Sequence, residues 1–366
     1  MHLGWLELGD FRCYHDLSFR PDEGVNVLVG DNGAGKTSVL EAIAYLGLLR
    51  SFRGTSDDSL VRTDTQEAVV RGEFSRGGGE VKVEVSLPAA GRRTVLLNGK
   101  RPSRNRDVLT QVPIVAFLPD DLDLVKRGPA LRRQYLDDLA AQLKPQAGAD
   151  QSDFDRALRQ RNSLLRQEGR SADRATLDVW DERLAAAGGL VYSARRHARR
   201  ELQPYLEGGY RSVGGHGDVG WSYTANWEVD DETPDGDEVE AALLRALNAR
   251  RNQDMERRAT SVGPHRDDPG LLLNGRSLRS QASQGEQRTA ALALRVGSYR
   301  LLTEARPTRP ILLLDDVFSE LDTARVEGVL QLLPDGQVFV TSARDDEIPV
   351  QGHRWIVRDS VIQDVQ

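Results

Sequence analysis

The 366-residue chain has one cysteine, Cys13, two methionines and no run of eighteen apolar residues. A single thiol excludes a disulfide framework and any multi-thiolate zinc site, and six scattered histidines do not rebuild one. The missing apolar run excludes a membrane-spanning helix. Met1–Glu7 lacks a basic stretch followed by an apolar one, so no secretory signal is expected and the expected compartment is cytoplasmic. Lysine is scarce as well. Lys36, Lys82, Lys100, Lys126 and Lys144 are the only lysines among 49 basic residues, and 56 acids bring the net charge to −7. That balance excludes a globally basic nucleic-acid coat protein. A 39% hydrophobic share is enough to bury a core, and the length allows two to three domains.

Against this background one lysine has a clear setting. Val25–Val29 reads as a short apolar strand, Gly30-Asp31-Asn32-Gly33-Ala34-Gly35-Lys36-Thr37 follows, and Ser38–Ile43 begins a helical pattern. This is G-x-x-x-x-G-K-T between a strand and a helix, the context that gives the motif its meaning. Glycines let backbone N–H groups turn toward phosphates, and the helix N-terminus adds its positive dipole end. Lys36 should reach the β- and γ-phosphates, and the Thr37 hydroxyl should hold Mg²⁺. A Gly-rich turn with an incidental lysine is the bland alternative. Further on, Ile311–Leu314 reads as a buried parallel strand ending in Asp315 and Asp316. Asp315 fits the Mg²⁺ ligand, and Asp316 stands where a general base could activate the attacking water.

Two more segments narrow the class. Ser283-Gln284-Gly285-Glu286 precedes a strongly helical run and would offer a hydroxyl, backbone N–H groups and a dipole to an anion. Ser319-Glu320-Leu321-Asp322 forms a short acidic turn after the acidic strand. A capped helix explains either one alone; their order behind the P-loop is the informative part.

This order resembles the ABC-type ATPases, in which the Ser-x-Gly signature of one subunit closes over ATP held by its partner's P-loop. Phe11–Tyr14, Gly128–Arg133 with Leu136-Asp137, and Gly263–Asp268 extend the likeness over nearly the whole chain to the bacterial RecF family of DNA-repair ATPases, related to the SMC and Rad50 heads. The resemblance implies an α/β ABC/SMC-like P-loop ATPase head with an antiparallel β layer and an inserted helical lever-arm domain. It implies ATP and Mg²⁺ as ligands, slow DNA-dependent hydrolysis, and an ATP-dependent head-to-tail homodimer capped in trans by Ser283, Gly285 and Glu286, with Asp322 as the D-loop acid. Gapped, double- or single-stranded DNA, the RecR and RecO mediators, recombinase loading and the SOS response are the implied setting. Arg12 could approach ATP phosphates, as its counterpart does in Rad50-like heads, or be a surface arginine beside a strand. Departures are Glu286 where many members have Gln, Asp316 where transporter ATPases have Glu, and no switch histidine after Gln337–Val340, which leaves Thr341 and Ser342 hydroxyls in its place. Val115–Asp120 contains no Q-loop glutamine.

The layout is expected to be an N-terminal half-head over 1–118, a helical arm over 119–258 and a C-terminal half-head over 259–366. Alternating strands over 69–74, 81–87 and 94–97, with Asn98-Gly99 and Asn274-Gly275 turn signals, suggest the β layer. Leu177, Trp180, Leu184, Ala187, Val191, Ala194 and Ala198 step by three and four, a helix-pair seam with 238–258 as the returning partner. Gly188-Gly189 interrupts helix propensity there. Eleven arginines against seven acids make 152–200 basic, and Arg195, Arg196, Arg199 and Arg200 would form a stripe able to meet DNA phosphates. A solvated face of the arm is the other reading. Cys13 is expected as a small core residue. The motifs leave two rivals: a transporter ATPase subunit, opposed by the long inserted region, and a nucleotide-gated scaffold with negligible hydrolysis.

Overall fold

Alternation along the early strands decides which side of each faces inward. In Glu67–Arg76 the buried positions are Ala68, Val70, Gly72 and Phe74, and in Gly79–Pro88 they are Val81, Val83, Val85 and Leu87. The computed structural model describes residues 1–102, 108, 111–331 and 336–365. It pairs these strands in a five-stranded antiparallel sheet with the order Tyr14–Phe19, His2–Phe11, Glu67–Arg76, Gly79–Pro88, Thr94–Leu97. The Asn98-Gly99 turn has both residues at positive φ, 51° and 73°, the twist that a two-residue hairpin needs.

A second sheet carries the near-continuous apolar strands expected when both faces are covered. Its order is Val361–Val365, His353–Arg358, Val25–Val29, Val338–Ser342, Ile311–Asp315, Ile114–Phe117; neighbours are parallel except for the terminal hairpin. The helix Lys36–Leu48 buries Val39, Leu40, Ala42, Ile43, Ala44, Tyr45 and Leu46, too many sides for an amphipathic surface helix, and joins a core shared by both sheets.

The chain divides into two units, one of residues 1–122, 205–216 and 288–366, the other of 123–204 and 217–287. The first break falls four residues beyond the expected position 118. The second lies at 287 instead of 258, because 259–287 folds with the helices of the second unit. Asp268–Leu273 pairs with Val219–Thr224, Arg132 Nη2 donates to Asp268 at 2.7 Å, and Arg195 Nη1 donates to the Pro264 carbonyl at 2.7 Å. The Asn274-Gly275 turn therefore belongs to a separate three-stranded sheet rather than to the β layer of the first unit.

Within the second unit the expected seam is present: Leu177, Leu184, Val191 and Ala198 are buried on the helix Arg174–Ser212, as are Val239, Ala242, Leu243 and Leu247 on Asp237–Arg257. Gly188 does not break the helix. A Cβ there would lie 2.4 Å from Leu243 Cδ2 and 3.2 Å from Phe154 Cε2, so its small size lets the helices approach. A fully buried Arg161 binds Asp181 at 2.6 Å, and Asp254 and Thr260 at 2.8 Å, a polar centre that the apolar seam gave no hint of.

Candidate nucleotide site

The loop Gly30–Gly35 leaves the C-terminal end of the strand Val25–Val29 and enters the helix Lys36–Leu48, so its backbone lies at the helix's positive end. Gly35 has φ +113°, and a Cβ on it would meet Tyr14 Oη at 2.7 Å and Cys13 Sγ at 3.0 Å. The buried Tyr14 hydroxyl donates to the Gly35 carbonyl at 3.2 Å, and burial pushes its ionisation well above the ordinary range. Lys36 Nζ donates to the Gly30 and Asp31 carbonyls at 2.5 and 2.9 Å. Burial lowers its pKa, while Asp316, Asp315 and Asp31 favour its charge.

The structure brings the two distant motifs together. Asp315 Oδ1 accepts from Thr37 Oγ1 at 2.9 Å and from Thr341 Oγ1 at 2.7 Å. Burial raises the Asp315 carboxyl above its ordinary value, opposed by those two hydroxyls and by the charge of Arg53. The Asp316 amide donates to Thr341 Oγ1 at 3.0 Å, and Asp316 itself sits in the left-handed region at φ +50°. Its buried Oδ1 has no hydrogen-bond partner among the described residues. These groups, with Arg12, Asn32, Ser38 and Arg53, line a polar cavity of about 470 Å³. A smaller cavity of about 60 Å³, walled by Phe117, Leu118, Leu292, Val317 and Leu321, reaches Asp316 as well.

The donor set fits a hard divalent cation held partly by a ligand's phosphates. Thr37 supplies a hydroxyl, Asp315 a carboxylate oxygen, and Asp316 an orphaned acceptor. The described residues contain no cluster of three or more His, Cys, Asp or Glu that could cage a metal unaided.

The remaining predicted residues are placed as follows. Arg12 lines the cavity, yet Nε and Nη2 donate to Glu41 at 2.8 Å each, with Ser59 and Thr55 taking further bonds. Ser283 and Glu286 form a capping box on the helix Gln284–Ala305: the Ser283 amide and hydroxyl each donate to Glu286 Oε2 at 2.7 Å, and the Glu286 amide donates back at 3.3 Å. Those bonds hold the Glu286 carboxyl below its ordinary range. Asp322 caps the helix Thr323–Leu330 through the Arg325 amide at 3.1 Å and pairs with the Arg325 guanidinium. In the Gly263–Asp268 segment, His265 Nε2 lies 3.2 Å from the Thr260 carbonyl. Asp267 accepts from Tyr223 at 2.9 Å and Trp227 at 3.1 Å, and burial pushes it up to about 6. Burial drives His265 down to about 4.

Two expectations need correction. Arg195, Arg196 and Arg199 are buried, not a phosphate-binding stripe. Arg195 is bidentate to Asp137 at 2.6 and 2.9 Å, Arg196 binds Asp235 at 2.5 Å, and Arg199 pairs with Asp231. Arg200 is exposed but donates to the Asp231 carbonyl. Asp137, Asp231 and Asp235, all distant in sequence, thus neutralise the basic helix within the chain. Cys13 is exposed on the wall of the phosphate cavity rather than in the core. Sequence reasoning missed Glu41 and Arg53. An acid inside the apolar run Val39–Leu46 was a usable signal for the first; Arg53 offered none.

Residues 2–355 match the family model described as RecF/RecN/SMC N terminal domain. The chain is 41% identical to a DNA replication and repair protein RecF of Acidothermus cellulolyticus, covering 99% of each, and 41% identical to that of Frankia alni, covering 98% of each. A solved structure of the recombination mediator protein RecF with ATP, from the RecFOR pathway, superposes with TM-score 0.93 at 30% identity, over 100% of this chain and 98% of that one. An SMC head bound to the C-winged helix domain of ScpA shares the fold at TM-score 0.55 and 18% identity.

Proposed function

The chain belongs to the RecF family of DNA replication and repair proteins, and from that premise we propose that it is an ATPase whose nucleotide state controls its grip on DNA. The observation that carries this reading is the convergence of the Thr37 and Thr341 hydroxyls on one buried oxygen of Asp315, beside Lys36 and the orphaned carboxylate oxygen of Asp316. Bound Mg²⁺ would be held by Thr37 and Asp315 and would neutralise phosphate charge. Lys36 would exchange the Gly30 and Asp31 carbonyls for the β- and γ-phosphates. Asp316 takes a proton from the attacking water as the water oxygen bonds to the γ-phosphorus and the bond to the β–γ bridging oxygen breaks, leaving ADP and phosphate.

The Ser283–Glu286 cap presents a helix N-terminus with exposed polar groups, which suits it to close over ATP held by a second copy. ATP would thus drive a head-to-tail dimer, with Asp322 near the seam, that closes on gapped, double- or single-stranded DNA without sequence preference. Slow hydrolysis reopens it. The family relation supports a cytoplasmic role with RecO and RecR in loading recombinase and in the SOS response. No helix among the described residues is long and apolar enough to cross a membrane.

The test is hydrolysis per molecule against protein concentration, with and without gapped duplex DNA. A rate that rises with both supports the dimeric clamp, and a flat rate indifferent to DNA would refute it. Lys36→Met should abolish ATP binding; unchanged affinity would overturn the nucleotide assignment itself.

A further inference from the structure

Glu41 lies in the middle of the helix that follows the phosphate loop and is fully buried. An ionised side chain in that position is retained only when paired, and an apolar replacement of such pairs is often as stable. Its pairing is therefore the feature to explain. Glu41 Oε2 accepts from Arg12 Nε and Oε1 from Arg12 Nη2, each at 2.8 Å, the two-pronged geometry that fixes a guanidinium in plane. Arg12 Nη1 donates to the Ser59 carbonyl at 2.9 Å, and Nη2 donates also to Thr55 Oγ1 at 3.0 Å. Among the described residues four of the five N–H groups are thereby engaged, which leaves one Nη1 hydrogen for a ligand in the cavity that Arg12 lines. Arg12 holds φ +53° to take this position, a backbone state that non-glycine residues keep only when surrounding contacts impose it.

The same carboxylate reaches a second arginine. Ser51 Oγ donates to Glu41 Oε1 at 2.5 Å and accepts from the Arg53 amide at 3.0 Å, which fixes the start of the loop that carries the exposed Arg53 side chain. Arg53 lines the same cavity, and its charge favours the ionised form of Asp315.

We propose that Glu41 is a positioning residue for nucleotide binding, holding Arg12 directly and Arg53 through Ser51 on the wall of the phosphate cavity. The ligand is a nucleoside triphosphate, so the inference rests on the nucleotide-binding reading above. Glu41→Gln keeps the side chain's size but loses its charge, and Arg12→Lys keeps the cation but loses the fork. Calorimetric titration of the full chain with MgATP should show each single variant binding about tenfold more weakly. The double variant should bind no more weakly than the weaker single, since both changes break one tether. Losses that multiply to about a hundredfold would make Glu41 a packing residue independent of Arg12. Wild-type affinity in Glu41→Gln would remove it from nucleotide binding. Should Glu41→Gln not fold, Arg12→Lys, which leaves the buried carboxylate paired with a cation, must still lose about tenfold, and wild-type affinity there overturns the proposal. Lys36→Met separates the two levels. If it binds MgATP normally the nucleotide reading fails, whereas its loss of binding beside a normal Glu41→Gln defeats only this inference.

Discussion

Thr341→Val exchanges a hydroxyl for a methyl of nearly equal size at a site 1% exposed, so its effect isolates the bonds of one hydroxyl. The hydroxyl donates to Asp315 Oδ1 at 2.7 Å and accepts from the Asp316 amide at 3.0 Å. The Asp316 amide keeps the Thr341 carbonyl at 3.2 Å, and Asp315 keeps Thr37 at 2.9 Å. The main loss is the hydrogen bond to the buried carboxylate, about 2 kcal/mol at neutral pH, since the Asp316 amide keeps an acceptor. For a unit of this size that lowers the melting temperature by roughly 4–8 °C. The pH dependence is the sharper part. Burial raises the folded-state pKa of Asp315 above its ordinary 3.8, so the folded chain holds this proton to higher pH than the unfolded chain. Stability is therefore lost as pH rises through that interval. Thr341 counteracts the loss by stabilising the anion, and without it the interval extends upward. The gap between wild type and variant should widen with rising pH and close as Asp315 becomes protonated in both. Calorimetric melts of the nucleotide-free proteins between about pH 4 and about pH 8 read this directly. A gap that stays constant, or that grows toward acid, would refute the assignment of the bond to the anionic carboxylate.

Asp316→Asn should bind MgATP as the wild type does and hydrolyse it roughly 10²–10⁴-fold more slowly, measured by phosphate release; wild-type turnover would remove Asp316 from the proton-accepting role. Arg195→Met takes the buried guanidinium from the partly exposed Asp137 and should destabilise the second unit by about 1–3 kcal/mol in denaturant melts. DNA affinity of the folded variant should match wild type, and a selective loss of DNA binding would restore the phosphate-contact reading.

The parts of the molecule legible in the sequence are those whose chemistry is local. Gly30–Thr37, the Asn98-Gly99 turn and the apolar strand ending in Asp315 each depend on backbone geometry that neighbouring residues dictate. The Arg195–Arg200 stripe was misjudged because its neutralising acids lie more than thirty positions along the chain, and helical spacing says nothing about what a loop folds back upon. The domain break at 287 was missed for a similar reason: strand pairing between 268–273 and 219–224 is non-local. Glu41 is the intermediate case, an acid within an apolar run whose partner Arg12 is twenty-nine positions away.

The exposed Cys13 on the cavity wall gives the protein a built-in spectroscopic handle. Because it is the chain's single cysteine, a maleimide dye or spin label attaches at one known place without prior removal of other thiols. Its sulfur lies 3.9 Å from Ser38 Oγ at the start of the helix that receives the phosphates, so the label would share space with the nucleotide. MgATP should slow the labelling of native protein, turning occupancy of the site into a rate that can be followed without any substitution in the chain. A label pre-attached there should, conversely, exclude ATP and yield a population locked in the nucleotide-free form.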